Sequence, residues 1–157
     1  MTADHSFMEM AIDLAMKNVQ TGEGGPFGAV VVKDGKVIAS AANCVTTTND
    51  PTAHAEVMAI RKACQALGSF QLDGCEIYTS CEPCPMCLGA IYWARPAAVY
   101  YANTRANAAQ AGFDDAFIYD EIPLAPEERT LKMRQLRLPT AHEHFDAWVT
   151  SQLQVKY

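Results

Sequence analysis

The chain has 157 residues, about half of them apolar, which is enough for one domain with a hydrophobic core that needs no disulfide bonds. Its formal net charge is −6, and since binding to a nucleic-acid backbone requires many Lys and Arg contacts, this balance argues against DNA or structured RNA as a partner. The sequence has no apolar run near the ~20 residues of a membrane span and no secretory signal at its start, so we expect a cytoplasmic protein that acts away from membranes.

The first third of the chain predicts a helix followed by a β-hairpin. Residues 6–20 carry the apolar periodicity of an amphipathic helix, and a glycine-rich break at residues 22–25 ends it. Two segments rich in β-branched residues, 29–32 and 37–41, flank Asp34-Gly35. Asp-Gly between two such segments is typical of a two-residue hairpin turn.

The remaining elements alternate between helix and strand. After a polar loop at residues 43–50, the patterns predict a helix at 52–67, a strand at 76–80, a helix at 83–94, a strand at 97–102, short helix and loop at 103–120, a strand at 131–138 and a terminal helix at 145–155. This alternation indicates an α/β sandwich, and we find no linker or repeat that would divide the single domain of residues 1–157.

Two short motifs supply the ligands of a zinc site. Cys84 and Cys87 are three residues apart in a predicted helix, so their thiols share one face, and the start of a helix favours thiolates. His54, in the first turn of its own predicted helix, adds an imidazole. Three protein ligands leave the fourth coordination position for a water molecule, whose pKa zinc lowers toward neutrality. The motifs therefore predict one catalytic Zn²⁺ per subunit.

Glu56 follows His54 by two residues and is the predicted catalytic acid and base. At a helix start its carboxylate can face the metal without binding it. A carboxylate in that place can take a proton from the attacking water and deliver it to a leaving amine.

Cys81 leaves other metal chemistries open. It extends the motif to three cysteines at equal spacing, which is also compatible with a closed four-ligand zinc site, a redox pair or an iron–sulfur cluster. We favour the three-ligand site, because Cys81 precedes Glu82 and Pro83 and so falls outside the helix that aligns the other two thiols. The remaining cysteines are assigned to packing: Cys44, Cys64 and Cys75.

The order His54-x-Glu56 and then Pro83-Cys84-x-x-Cys87 fits the signature of zinc-dependent nucleobase deaminases. The sequence further resembles the small bacterial guanine deaminases of the cytidine deaminase-like superfamily. The segments that carry this resemblance are residues 24–30, 49–56, 78–94 and 111–115 and the terminal Tyr157. The resemblance covers nearly the whole chain and is weakest from residue 131 onward.

The resemblance implies a fold, a reaction and an assembly. The fold is a three-layer α/β/α sandwich with a central mixed five-stranded sheet. The reaction is the hydrolysis of guanine to xanthine and ammonia, with Glu56 as proton shuttle. The assembly is a homodimer that exchanges C-terminal segments, so that Tyr157 completes the active site of the partner subunit.

The resemblance also implies which residues hold a purine base. Phe27 and Asn43 bind the base, and a carboxylate, Asp115 in preference to Asp114, contacts the reacting amino group. The ring of Phe27 or Trp93 could stack on the flat face of the base, and an amide can donate and accept at its edge. Each of these residues also has an ordinary alternative: turn formation for Asn43, core packing for the aromatic rings, and capping or solvation for the two aspartates.

Three other functions use similar motifs. Transfer-RNA adenosine deaminases share the zinc signature, but a flipped base in an RNA loop calls for a basic surface, and this chain is acidic. Deamination of guanosine, cytosine or an aminotriazine is compatible with the same residues. A non-catalytic zinc or interaction module is the alternative from a different class, and it would need a closed fourth ligand.

Overall fold

The computed structural model describes residues 4–157 and divides the chain into two compact units, Met1–Asp115 and Ala116–Tyr157. The helices and strands of the first unit are, in chain order, α1 His5–Thr21, β1 Gly28–Lys33, β2 Lys36–Ala42, α2 Val45–Thr48, α3 Ala55–Leu67, β3 Cys75–Cys81, α4 Pro85–Ala94, β4 Ala98–Asn103 and α5 Arg105–Gln110. The second unit contains α6 Ala116–Glu121 and α7 Glu143–Thr150. Among the helices of residues 4–157, none is both long and apolar enough to span a membrane.

The predicted elements of the first unit are confirmed to within a few residues. The two helices that carry the zinc motifs begin later than predicted, because His54 and Cys84 have extended backbones and act as the N-caps of α3 and α4. The loop predicted at residues 43–50 contains the short helix α2, which the polar sequence did not indicate.

The sheet is mixed, as expected, but within residues 4–157 it has four strands instead of the predicted five. The strand order is β2-β1-β3-β4, with β1 antiparallel to both neighbours and β3 parallel to β4. The predicted strand at residues 131–138 is wrong: these residues form neither helix nor strand and their side chains are exposed. An alternating sequence becomes a strand only where another strand pairs with its backbone, and none does so here within residues 4–157.

The hairpin between β1 and β2 forms as the Asp-Gly pair predicts. Asp34 and Gly35 both have positive φ values, 51° and 71°, which is the backbone of a type I′ turn. The turn brings Lys33 opposite Lys36, and a register shift between Val31 and Val32 interrupts the pairing. Gly35 meets the positive φ without the steric penalty of a Cβ atom.

The sheet is covered on both faces in the first unit, which gives three layers. On β1, Val30 and Val32 pack with α1 on one face, whereas Ala29 and Val31 face α3 and α4 on the other. The fully buried α3 residues in this core are alanines at four-residue spacing: Ala55, Ala59 and Ala63. These small side chains let the helix axis approach the sheet closely, and this approach places the start of α3 beside the start of α4.

Burial on the central strand should dominate the stability of the first unit. We expect Val31→Ala to lower the free energy of unfolding by about 2 kcal/mol, because it removes fully buried methyl groups and leaves a cavity. The matched control is Val37→Ala on β2, where the side chain is 39% exposed and the expected loss is below ~1 kcal/mol. Urea unfolding of both variants measures this difference, and equal losses would contradict the layer assignment.

Candidate active site

The candidate site forms where the N-termini of two helices meet. His54 caps α3, Cys84 caps α4, and Pro85 occupies the first turn of α4, where its missing N–H is no disadvantage. The backbone N–H of Cys87 points at Cys84 Sγ, 3.5 Å away. Free amides and the positive end of the helix dipole therefore surround the first thiol, which favours its thiolate form.

His54, Cys84 and Cys87 form a group that could hold one metal ion. Their ligand atoms all lie within 4.8 Å of one another, and His54 Nδ1 is 3.5 Å from each sulfur. Ligands of a tetrahedral zinc ion with Zn–N and Zn–S bonds of ordinary length are about 3.5 to 3.8 Å apart. The observed spacing and the donor set, one imidazole and two thiols, therefore fit Zn²⁺, and three protein donors leave one coordination position open.

Cys81 is not a member of this group. It ends β3, and its thiol lies 3.6 Å from the carbonyl oxygen of Thr104, to which it can donate a hydrogen bond. Among the described residues, the metal-ligand group contains only His54, Cys84 and Cys87. This arrangement disfavours the closed four-ligand zinc site and the iron–sulfur cluster.

The two thiols of the group differ in their electrostatics. The hydrogen bond with Cys87 and the neighbouring His54 imidazole lower the pKa of Cys84 well below that of an ordinary thiol. The hydrogen bond with Cys84, followed by burial, raises the pKa of Cys87. The surroundings of Cys84 therefore favour its thiolate form.

Glu56 lies beside the metal ligands but outside their group. It sits in the first turn of α3 and is only 6% exposed. Its Oε1 accepts a hydrogen bond from Thr79 Oγ1 at 3.3 Å, and its Oε2 lies 3.4 Å from Cys87 Sγ. Burial raises the pKa of this carboxyl group. A carboxyl group whose pKa is raised accepts a proton more readily than an ordinary carboxyl group, which suits a residue that takes up and returns protons.

A cavity of about 610 Å³ opens from this cluster. Four residues predicted to contact substrate line it: Phe27, Asn43, Asp114 and Asp115. Asp115 is half-buried, and burial, followed by the nearby Cys84, raises the pKa of its carboxyl group. The cavity thus places carboxylate, amide and aromatic groups around the metal ligands.

Trp93 and Tyr157 are placed differently from the other predicted substrate residues. Trp93 does not line the cavity. The buried side of α4 consists of Cys87, Ile91 and Ala94, whereas Trp93 is 61% exposed. Stacking of Trp93 on a base in this cavity is therefore not supported. Tyr157 belongs to the second unit, and its ring is exposed.

Phe113 and Arg105 line the cavity although the sequence did not single them out. The Phe113 ring meets the Phe27 ring edge-on, with centroids 5.0 Å apart and an interplanar angle of 86°. The backbone N–H of Arg105 donates to the carboxylate of Glu82 at 3.0 Å. Phe113 could have been predicted from the sequence, because it directly precedes Asp114 and Asp115, which were predicted to contact substrate.

Asn43 makes the backbone hydrogen bonds expected of a residue that forms a turn, which was the alternative to a role in ligand binding. Its Oδ1 accepts hydrogen bonds from the backbone N–H groups of Gly25 and Val45, both at 3.2 Å. These two contacts orient the side-chain amide, so that its Nδ2 group is the donor that remains for a ligand. Structural and ligand-binding roles are therefore compatible in this residue.

Residues 1–103 match the family profile of the cytidine and deoxycytidylate deaminase zinc-binding region. The chain belongs to this family. The matched region contains both zinc motifs and Glu56, so the group that could hold a metal ion lies within the zinc-binding region of this family.

Two comparisons connect this deaminase with a Bacillus subtilis relative. This chain is 62% identical over 143 residues to the guanine deaminase of Bacillus subtilis (strain 168), and the match covers 91% of this chain and 92% of that protein. The solved structure of guanine deaminase from Bacillus subtilis superposes with a TM-score of 0.97 at 57% identity, covering 99% of each chain. A tRNA-specific adenosine deaminase of Agrobacterium fabrum is 44% identical over 108 residues, which are 68% of this chain and 70% of that one.

Zinc retention should separate the ligands of the deaminase from Cys81. We expect Cys84→Ser and Cys87→Ser to lose most of their bound zinc, because a serine hydroxyl is a far weaker zinc ligand than a thiolate. The matched control is Cys81→Ser, which should retain one zinc ion per chain. Metal analysis after dialysis against a mild chelator measures this, and zinc loss in Cys81→Ser would restore the four-ligand alternative.

The buried carboxyl group should make the metal-free protein less stable as the pH rises. Burial raises the folded-state pKa of Glu56 above its ordinary value of 4.5. The group's stabilising contribution is complete below about pH 4.5 and is lost as the pH rises through the folded-state pKa. Glu56→Gln cannot ionise, so it should be more stable than the wild type at pH 8, by about 1.4 kcal/mol for each unit of pKa difference.

Denaturant unfolding of the chelator-treated proteins between pH 4 and pH 8 measures this effect. The difference between Glu56→Gln and the wild type should grow with pH. If the difference in free energy of unfolding stays constant over this range, folding does not raise the pKa of Glu56 and the prediction is wrong.

Proposed function

We propose that this protein catalyses the zinc-dependent hydrolysis of guanine to xanthine and ammonia. The observation that carries the proposal is the buried carboxylate of Glu56, which lies beside a three-ligand metal group and inside a cavity large enough for a purine base. The 62% identity to a guanine deaminase over nearly the whole chain supports the choice of base.

Each part of the site has a task in this reaction. His54, Cys84 and Cys87 would hold the zinc ion, which when bound would supply a Lewis acid that makes water a better nucleophile toward the ring carbon bearing the amino group. The Glu56 carboxylate, anchored through Oε1 by Thr79, takes one proton from the attacking water at Oε2, which faces the ligand side. It then delivers this proton to the amino group, which leaves as ammonia. The other proton of the water ends on a ring nitrogen as the carbonyl group of xanthine forms.

The cavity walls supply groups that match a purine. The Phe27 ring, braced edge-on by Phe113, can cover the flat face of the base. The Nδ2 group of Asn43 can donate to a ring nitrogen or carbonyl at the edge. Asp115, in preference to the neighbouring Asp114, is proposed to contact the exocyclic amine, since it is the more buried of the two.

Adenosine in tRNA is the second candidate substrate, because of the 44% identity to a tRNA-specific adenosine deaminase. The formal net charge of −6 argues against it, since an RNA loop carries many phosphates. The shorter match, 68% of this chain against 91% for the guanine deaminase, points the same way.

We propose a homodimer in which the C-terminal segments are exchanged, so that Tyr157 of each subunit completes the other site. Apolar side chains near the C-terminus support this proposal because they are exposed in the single chain: Trp148, Val149, Leu153, Val155 and Tyr157. A monomer rarely leaves such a concentration of apolar residues in solvent.

We place this activity in the cytoplasm. All six cysteines are free, including the half-buried Cys44 and Cys64, and free thiols persist in a reducing compartment. The net negative charge gives the protein no evident attraction to nucleic acid or to an anionic membrane surface.

Ammonia release from guanine by the zinc-loaded protein tests the reaction. We expect strong release from guanine, and weak or no release from guanosine, cytosine, an aminotriazine and a tRNA anticodon stem-loop that contains adenosine. Glu56→Gln should retain one zinc ion and lose at least ~100-fold in kcat, because its amide cannot carry the proton.

Each other result has a definite meaning. Release only from another amine would keep the zinc chemistry and overturn the base assignment. Release from none of these amines would favour the non-catalytic zinc module. Near-normal turnover by Glu56→Gln would remove Glu56 from the proton path.

Removal of residues 153–157 tests the exchanged C-termini. We expect the truncated chain to keep its zinc and lose most of its activity. The truncated chain lacks the C-terminal segment, whereas Glu56→Gln lacks only the proton carrier. Because each chain keeps what the other has lost, refolding the two together should restore activity. In a hybrid dimer the Glu56→Gln chain lends its C-terminus to an intact site, and an equal mixture should regain roughly a quarter of the wild-type activity. Normal activity in the truncated chain alone would contradict the exchange.

A further inference from the structure

Asn18 is a buried polar residue on α1 that reaches two separate walls of the cavity. Its side chain is 4% exposed, although it does not line the cavity. Its Nδ2 group donates to the carbonyl oxygen of Gly25 at 2.9 Å and to that of Asn43 at 2.7 Å. One amide therefore ties the glycine-rich loop before β1 to the residue that follows β2.

The two walls are also bonded directly to each other. Asn43 Oδ1 accepts from the N–H of Gly25, and the N–H of Asn43 donates to the carbonyl oxygen of Phe27 at 3.0 Å. Together with the two bonds from Asn18, these contacts form a closed ring of hydrogen bonds. Neither wall can shift without breaking a bond to the other or to α1.

The same junction is closely packed. A Cβ atom at Gly24 would lie 2.0 Å from the Asn43 carbonyl oxygen and 2.9 Å from Asn18 Nδ2. The position therefore requires glycine, because the first of these neighbours is backbone and cannot rotate away. Gly24 and Asn18 therefore both lie against the Asn43 carbonyl group.

We propose that Asn18 is a positioning residue for substrate binding. It fixes Asn43 and the glycine-rich loop in the geometry that receives a purine base, without touching the base itself. The inference rests on the proposed function in that the cavity binds a base. A preformed wall lowers the entropy lost on binding, so loosening it should weaken affinity while the metal ligands and Glu56 continue to perform the chemistry.

Steady-state kinetics on zinc-loaded Asn18→Asp, Asn18→Ala and Gly24→Ala test this role. Asn18→Asp keeps the size of the side chain but turns an oxygen toward two carbonyl oxygens, and Gly24→Ala disrupts the junction from the loop side. We expect KM for guanine to rise about tenfold, as the loss of two hydrogen bonds implies, with kcat within about threefold of the wild type. Zinc content should remain at one ion per chain.

The matched control is Met8→Ala, on the same helix, where the side chain is partly buried and packs against the core between α1 and the sheet. Met8→Ala should reduce stability without changing KM. If Asn18 only stabilised α1, its variants would behave in the same way, with lower stability and an unchanged KM. A KM within twofold of the wild type in both Asn18 variants, or a loss confined to kcat, would overturn the proposal.

Hydrogen exchange tests the same proposal without a substrate. Asn18→Ala should increase exchange at residues 22–27 and 43–46, and Met8→Ala should not. If the wild type releases no ammonia from guanine, the proposed function fails but exchange still decides the role of Asn18. In that case, unchanged protection of both segments in Asn18→Ala would overturn the positioning role.

Discussion

The convergence of two helix N-termini on one face of the sheet is the constraint on which the site depends. The alanines of α3 let that helix lie close to the sheet, and α4 packs on the same face through Ile91 and Ala94. His54 and Cys84 are N-caps, so their positions follow directly from where these helices begin. A larger residue at Ala55 or Ala59 would move the imidazole away from the thiols, and the three ligand atoms would no longer fit one ion.

Glu56 shows how stability and chemistry oppose each other in this fold. A carboxyl group that is 6% exposed is destabilising in its charged form, which is why its pKa is raised. The positive charge of a bound metal ion opposes this effect and favours the carboxylate. Thr79 holds one oxygen and leaves the other on the side of the metal ligands, which is the orientation a proton carrier requires.

The cavity wall also depends on the opposite layer of the sandwich. α1 packs on the face of the sheet away from α3 and α4, yet its Asn18 binds the carbonyl groups of Gly25 and Asn43. Residues from both layers therefore shape one cavity. A buried amide is unfavourable unless its hydrogen bonds are made, and here the bonds it makes hold the walls together.

The sequence by itself determined the local elements and the metal chemistry of this protein. Periodicity and turn residues located the helices and strands of the first unit apart from the short α2. His54, Glu56, Cys84 and Cys87 identified the deaminase signature because these residues act at short, regular spacings along the chain. Only the tertiary structure decided which face of α4 is buried. That helix is apolar nearly all round, so its sequence could not show that Trp93 faces outward while Cys87 faces the site. The absent strand at residues 131–138, the pairing of Phe27 with Phe113 and the reach of Asn18 to Asn43 were likewise hidden, since each depends on partners distant in the chain.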